Sequence, residues 1–433
     1  MKTLDHIAAE LQGYDPKALP AHLVNAFLAD MVPLPNDFEE LPIWQALGRV
    51  IAQDVVSPLD VPPHDNSAMD GYAFDGNALT AGQALTLEVV GAALAGQTYQ
   101  GAMAPGQCLR ITTGAVMPHA LNTVVPQELV QVAGSVITIP QDVVRRGDNR
   151  RAQGEDLQRG KVALTQGSVL GPAGLGLLAS LGLPTVRVWR RLRVAYFSTG
   201  DEILSLGEAP REGAVFDSNR YTVWGMLQRM GIELVDLGVV RDEPAQLEAA
   251  FRSAALQADA IITSGGVSVG EADHTKAMMR KIAQSDTPGE GGVVFWRIAM
   301  RPGRPMAVGR LGRVPLFGLP GNPVAVMVTF LAFVRPALWR MMGANAADPA
   351  VAPPLLTARS SQPIRKKPGR TEYQRAIVST DDQGQLCVQT TGDQGSGVLS
   401  SMVRANGLLV LHHDQGSIAP GDMVDVMVFT GVL

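Results

Sequence analysis

Gly265, Gly266 and Gly270, with Ser264 and Ser268 among them and Glu271 and Asp273 close behind, form the stretch SGGVSVGEAD directly after the strand-like run 260–263. Glycine at the end of a buried strand lets the backbone turn with positive φ and brings bare amide N–H groups close to an oxyanion. A nearby Asp can hold the metal ion that accompanies a phosphate. The chemistry so indicated is binding of an anionic, phosphorylated substrate. A tight strand-to-helix turn without a ligand accounts for the same residues, and it is the company of other unusual loops that favours the first reading.

The run GLPGNP at 318–323 ends a second strand and opens a long helix. Asn322 suits the N-cap and Pro323 the first turn, so free amides and the helix dipole point at whatever lies beyond; a capped helix with no ligand is the plainer account. Arg297, Arg301 and Arg304 lie in RIAMRPGRP, where prolines and a glycine stiffen a loop carrying three guanidinium groups. Fixed forks of donors suit phosphate or a tetrahedral oxyanion. Arg145, Arg146, Arg150 and Arg151 precede Gly154-Glu155-Asp156, which reads either as a solvated charged face or as an anion site with metal help. NSAMDGYA at 66–73 and Thr112-Thr113-Gly114 offer turn chemistry, hydroxyls and amides near strand ends. No pair of the seven histidines has metal-ligand spacing, and no Ser/His/Asp triad or cysteine nucleophile stands out. The reaction therefore depends on anion binding and a divalent metal rather than on a covalent intermediate.

These loops need elements to hold them. The chain has 433 residues, 46% hydrophobic, which allows several domains with large cores. A net charge of -5 gives no global attraction to nucleic acid or to acidic membranes, so the anion site is local. Cys108 and Cys387 lie far apart, as expected of a reduced, cytoplasmic protein without a zinc cluster. The first residues, with Asp5 and Glu10, show no export-signal pattern. The apolar stretches 169–186 and 324–334 are broken by glycine and proline or too short to span a membrane, and both read as buried helices.

From 193 to 342 strand-like runs (192–198, 233–240, 260–263, 314–317) alternate with helices (221–230, from Pro244, 324–340), which predicts a doubly wound α/β layer. In such a layer the loops at 199–202, Asp242, 264–273 and 319–323 converge beyond the carboxyl ends of the strands. Short runs at 85–90, 108–112, 124–125 and 136–139 predict an inserted β domain at 61–140. The expected organisation is an arm of 1–60 with 141–186, that inserted β domain, an α/β domain at 187–343, and a C-terminal β domain at 352–433 after a linker. Helical spacing of Leu23, Phe27 and Leu28, and again of Leu41, Ile43, Ala46 and Leu47, predicts a mainly helical start.

Taken in order, NSAMDGYA, RITTGA (110–115), GED (154–156), STGDE (198–202), SGGVSVGEAD, RPGRP (301–305) and GLPGNP resemble the molybdopterin molybdenumtransferase family, the bacterial counterparts of the gephyrin E domain. The resemblance spans nearly the whole chain. It implies an elongated homodimer and Mg2+-dependent insertion of molybdate into adenylylated molybdopterin, with AMP released. It implies that Asp242, Asp273 and Glu202 hold Mg2+ or assist phosphoanhydride cleavage. Ser264, Gly265, Gly266, Ser268 and Gly270, with Arg297, Pro320, Asn322 and Pro323, would bind the substrate. Asp70, as a further catalytic group, with Thr113, Arg151 and Asp156, would reach the same cleft from the other subunit. Arg301, Arg304, Pro305, Arg370 and Ser396, with Ser400 as the alternative serine, would take molybdate. Many relatives carry lysines where this chain has Arg297, Arg301 and Arg304, which leaves molybdate against tungstate open. Transient contact with other cofactor-synthesis proteins and apo-molybdoenzymes is also implied. The competing readings are a molybdopterin carrier or scaffold without catalysis, and an adenylyltransferase acting one step earlier.

Overall fold

The computed structural model describes residues 19–266, Lys281 and 292–429. Its centre is a six-stranded sheet in the order Glu233–Val240, Arg193–Thr199, Ala260–Ser264, Val314–Leu319, Pro305–Leu311, Gly292–Arg297. The first four strands are parallel and the last two antiparallel. Side chains alternate across the sheet, as the period of two requires. Val194, Tyr196, Ala260 and Ile262 face one core with the helices Ser218–Arg229 and Pro323–Met341. Ala195, Phe197 and Ile261 face the other, against Leu247, Phe251 and Ala254 of the helix Pro244–Gln257. Phe197 and Phe251 meet edge to face at 5.0 Å. The four parallel strands of the doubly wound layer are as the sequence predicts, while the helix Ser218–Arg229 begins three residues earlier than expected and the antiparallel strands Pro305–Leu311 and Gly292–Arg297 are additions the sequence reading did not anticipate.

The helix Pro323–Met341 is apolar and 19 residues long, and 83% of its most apolar window is buried in protein. A widened π turn over Phe330–Val334 precedes Arg335-Pro336 and includes the residue four before the proline, Ala332. Proline has no N–H to donate and its ring strikes the carbonyl four residues back, a conflict the wider turn relieves.

Around this layer lie an inserted sheet built on Gly71–Phe74, Leu85–Ala93, Gln107–Ile111, Thr123–Pro126 and Val136–Ile139, and an arm of paired strands. In the arm Phe38–Pro42 pairs with Thr185–Trp189, and Val55–Val56 with Val162–Leu164, so the two halves flanking the insertion lie together. The C-terminal strands close on themselves: Thr371–Thr380 pairs with both Leu386–Thr390 and Gly407–Leu411, completing a ring through Leu356–Ser360 and Met423–Val428.

Two expectations fail. Only Ala21–Met31 of the described leading residues is α-helical; Leu41 belongs to a strand and Ile43 to a short 3₁₀ turn. Strand pairing with Thr185–Trp189 overrides the helical spacing there. The stretch 169–186 is not one buried helix either. Its helix runs Pro172–Ser180 with Leu178 alone buried, and the chain then enters a strand.

At the amino edge of the sheet Arg190 donates two bonds to Asp259, at 2.8 and 2.6 Å, and the Arg193 amide adds a third at 2.8 Å. Burial pushes the Asp259 carboxyl upward, but these donors together outweigh it and hold the group below its ordinary range. A depressed carboxyl contributes stability above its unfolded value and loses it as pH falls through the folded one. Asp259→Asn should therefore cost about 1–2 kcal/mol at neutral pH. In urea unfolding across pH, its difference from the parent should shrink below about pH 4, where the unfolded carboxyl protonates.

Candidate active site

The chain order of the parallel strands reverses between Arg193–Thr199 and Ala260–Ser264: the connection through Ser218–Arg229 goes to one side, and the next crosses to the other. Ligands of open α/β sheets sit in the crevice beyond such a reversal. Here Gly265, with φ of +89°, donates its amide to the Leu319 carbonyl at 3.2 Å, and a Cβ on it would lie 2.3 Å from the Thr199 carbonyl oxygen. Gly321 packs over the Gly265 Cα. Three strand ends, at 199, 264 and 319, are thereby locked together. The fourth joins through Arg241, which donates to the Asp201 carbonyl at 3.2 Å, and through the Asp242 amide, 3.4 Å from the Asp201 carboxylate. Among the described residues the expected convergence of 199–202, Asp242, 264–266 and 319–321 is present; the rest of the 264–273 loop lies outside them.

Beneath these glycines runs a polar network the sequence did not reveal. The Tyr196 hydroxyl bonds Ser198 Oγ at 2.8 Å and Ser264 Oγ at 2.7 Å, and Asn219 Nδ2 donates to the Gly321 carbonyl at 2.8 Å. Burial pushes the Tyr196 phenol far above its usual range, so it stays neutral and serves as a fixed hydrogen-bonding strut. Its inward place on a fully buried strand is the available signal. Asn219 was missed because the expected helix began at Tyr221, whereas Asp217 caps it from the Arg220 amide.

Glu202 lies over Gly200, its carboxylate 2.5–2.8 Å from where a Cβ would stand, and Asp242 follows the adjacent strand. Ser268, Gly270 and Asp273 lie outside the described residues. Among the described residues no three His, Cys, Asp or Glu side chains gather as a metal cage. Mg2+ commonly takes one or two carboxylates and completes its shell with water and substrate phosphates, and oxygen donors on neighbouring strand ends fit that pattern.

The amino end of Pro323–Met341 departs from expectation. Asn322 occupies the N-cap position but its side chain caps nothing. It donates instead to Ser396 Oγ at 3.1 Å, and the Ser396 carbonyl accepts from the Val324 amide at 3.1 Å. An amide left free on paper is thus taken by the C-terminal domain. Ser396, rather than Ser400 on the helix Leu399–Arg404, is the serine at this end.

Arg301, Arg304 and Arg370 line one cavity of about 230 Å3 with Ala299, Met300, Pro302, Gly303 and Gly369. It forms because Met300–Arg301 pairs with the start of Thr371–Thr380, stitching the arginine turn to the C-terminal domain. Gly303, with φ of +93°, backs onto Thr329 and Ala325 of the long helix. Arg370 is held by Glu372, its Nε at 2.8 Å and Nη2 at 2.7 Å from the same carboxylate oxygen. Arg297 and Pro305 are not in the cavity lining; they face each other across the strand pair behind it. Pro320 is buried, Pro323 half-buried and Asn322 exposed.

A second group gathers on the inserted sheet and arm. Asp70 accepts from the Thr113 amide at 2.7 Å and from its hydroxyl at 2.8 Å. The amide bond first, then the hydroxyl, holds the carboxyl below its usual value. Arg151 pairs with Asn66 across a short ladder, and the Gly114 amide donates to the Ser67 carbonyl at 2.8 Å. Three motifs separate in sequence are therefore adjacent. Asp156 stands nearby, its amide bonded to the Val61 carbonyl at 3.0 Å and its side chain exposed.

Residues 20–182 match the family described as MoeA N-terminal region (domain I and II), 195–340 the "Probable molybdopterin binding domain", and 357–429 the MoeA C-terminal region (domain IV). The molybdopterin molybdenumtransferase of Haemophilus influenzae is 39% identical over 406 residues, 94% of this chain and 97% of that protein. The enzyme of the same name from a Nostoc species is 34% identical, covering 90% and 89%. The crystal structure of the molybdopterin biosynthesis moeA protein from Pyrococcus horikoshii superposes with a TM-score of 0.78 at 26% identity, covering 95% of this chain and 100% of that one.

The locked strand ends give a direct test. Gly265→Ala should lower stability by about 1–3 kcal/mol in urea unfolding, from positive φ and the backbone clash. Gly321→Ala, whose Cβ would meet nothing nearer than 3.9 Å, should cost far less. Equal costs would mean that the packing at 265 is not rigid.

Proposed function

From the premise that this chain belongs to the molybdopterin molybdenumtransferase family and is an enzyme of molybdenum cofactor biosynthesis, we propose that it inserts molybdate into adenylylated molybdopterin, with Mg2+ required and AMP released. The observation that carries this reading is the meeting of Arg301, Arg304 and Arg370 in one cavity, against the same helix whose amino end adjoins the glycine-lined strand ends. A substrate with a phosphate bridge and a second, tetrahedral dianion needs two anion sites side by side, and this arrangement offers both.

In this reading the Gly265 amide, spent on the Leu319 carbonyl, fixes the turn, and the bare glycine backbone at Gly266 lets the phosphates approach at the strand reversal. Glu202 and Asp242 would hold Mg2+, with Asp273 as the third ligand. When bound, Mg2+ neutralises charge developing on the phosphates. Arg301, Arg304 and Arg370 present planar donor forks to molybdate, while Glu372 limits the motion of Arg370. The Ser396 hydroxyl accepts from Asn322, which leaves its own proton to donate to an oxyanion. The protein would act as a homodimer in the cytoplasm, the Asp70, Thr113, Arg151 and Asp156 group closing the cleft of the other subunit. That group and the strand ends lie on different domains, and the hydrogen bonds fixing Asp70 stay within its own. Delivery of product to apo-molybdoenzymes completes the proposal.

AMP release from adenylylated molybdopterin, measured with Mg2+ and either molybdate or tungstate, tests it. Molybdate-dependent release is expected; binding without release under every condition would favour a carrier, and preference for tungstate would reassign the oxyanion. Asp242→Asn should retain substrate binding and lose release. Arg301→Ala should raise the molybdate requirement by the loss of about 1.5–3 kcal/mol, the worth of a charged hydrogen bond, and an unchanged requirement would remove Arg301 from the site.

A further inference from the structure

A groove runs beside the helix Ala21–Met31, away from the strand ends and the arginine cavity. Two cavities of about 450 and 500 Å3 share Asn25, Tyr373 and Val410, and so form one groove between that helix, the long helix Pro323–Met341, the linker after it and the C-terminal barrel. Its lining includes Ala29, Ala332, Ala337, Ala344 and Ala346, small side chains that leave room for a further helix. Residues 1–18 lead directly to it. Leu19 is pinned, its amide donating to the Arg297 carbonyl at 3.1 Å and its carbonyl accepting from the Ala299 amide at 2.8 Å, and Pro20, Ala21 and His22 then border the groove.

In the sequence Leu4, Ile7, Ala8 and Leu11 recur at the spacing of one apolar helix face, with Thr3 suited to the N-cap and Gly13 to the stop. We propose that residues 4–12 fold back as an amphipathic helix, antiparallel to Ala21–Met31, and seat that face in the groove of the same chain. The lengths agree. At 1.5 Å per residue, 4–12 spans about 14 Å, and the lining from Ala21 to Ala29 about 12 Å. The connection 13–20 is of the length that joins antiparallel helices. Folding back about its middle sets Leu4 against Ala29, Ala8 against Asn25 and Leu11 against His22. Charge fixes the same direction. Arg340, exposed at the Ala29 end, spends its Nε on the Ala29 carbonyl at 2.7 Å and has no carboxylate partner among the described residues. Asp5 flanks the apolar face at that end and Glu10 at the His22 end. Burial of the apolar face supplies most of the attraction, since exposed ion pairs contribute little.

The test uses the full-length protein carrying Cys387→Ser, which leaves buried Cys108 as the one native thiol. Under mild oxidation Ala8→Cys with Asn25→Cys should form a disulfide within one chain, whereas Ala8→Cys with Leu256→Cys, on the exposed side of the helix Pro244–Gln257, should not. Amide hydrogen exchange gives a second readout. Deletion of residues 1–16 should quicken exchange along Ala21–Met31 about tenfold or more, while Arg193–Thr199 keeps its parental rate. A synthetic peptide of residues 1–16 should restore slow exchange to the shortened protein, and the same peptide with Ile7→Asp and Leu11→Asp should not. If the shortened protein does not fold, those two substitutions in the full chain should quicken exchange along the same helix. Disulfide-linked pairs of chains in place of the bond within one chain would put the segment in the groove of a second copy and overturn the proposal. Parental exchange in the shortened or doubly substituted protein would overturn it as well, and would leave the groove to a different protein.

Discussion

A helix amino end cannot stay buried with its amides unpaired, and at Pro323–Met341 that requirement is met from another domain. Ser396 supplies a carbonyl to Val324 and a hydroxyl to Asn322. The same helix fills the core beneath the central sheet and supports Gly303 of the arginine turn, so this contact ties the C-terminal barrel to the GLPGNP turn beside Gly265, while the pairing of Met300–Arg301 with Thr371–Thr380 joins the two domains at the cavity of Arg301, Arg304 and Arg370. The site is a seam between domains, and its geometry follows from how that seam closes.

Arginine closes much of it, in two different ways. Arg375 and Arg335 are buried and spend their donors on carbonyls: Arg335 reaches Val351 at 2.8 Å and Ala350 at 2.6 Å in the linker between the domains. Burial lowers the affinity of both guanidinium groups for their proton, yet arginine remains charged, so every donor must find an acceptor. That demand makes each a strong constraint on the loop it grips. Arg301 and Arg304 are exposed, and Arg370 is half-exposed and held by the buried Glu372, so their charge is available to a ligand. The distinction between structural and ligand-facing arginine is one of burial and partner, invisible in the residue type.

The reversal of strand order does the corresponding work on the sheet side. It opens a crevice between Thr199 and Ser264, and glycine there is dictated by contact, since any Cβ on Gly265 would enter the Thr199 carbonyl. The buried Tyr196, Ser198 and Ser264 hydroxyls below satisfy one another, which keeps the strand ends in register.

The sequence by itself determined the α/β layer, the inserted sheet, and the loops that would meet. The apolar runs 192–198 and 260–263, the helical period from Pro244 and the glycine turns are local signals, and local physics writes them. It misread Leu41 and Ile43, where a partner strand 140 or more residues away decides the conformation. It could not say that Asn322 would turn from capping its helix to Ser396, that Arg297 would lie outside the cavity lined by Arg301, or that Arg375 would be buried. Each of these depends on which surface a side chain meets after the domains dock, and docking is set by long-range burial and hydrogen-bond satisfaction rather than by any pattern within a window of residues. Residue types and spacing therefore named the chemistry, and tertiary structure alone chose which of those residues stand together.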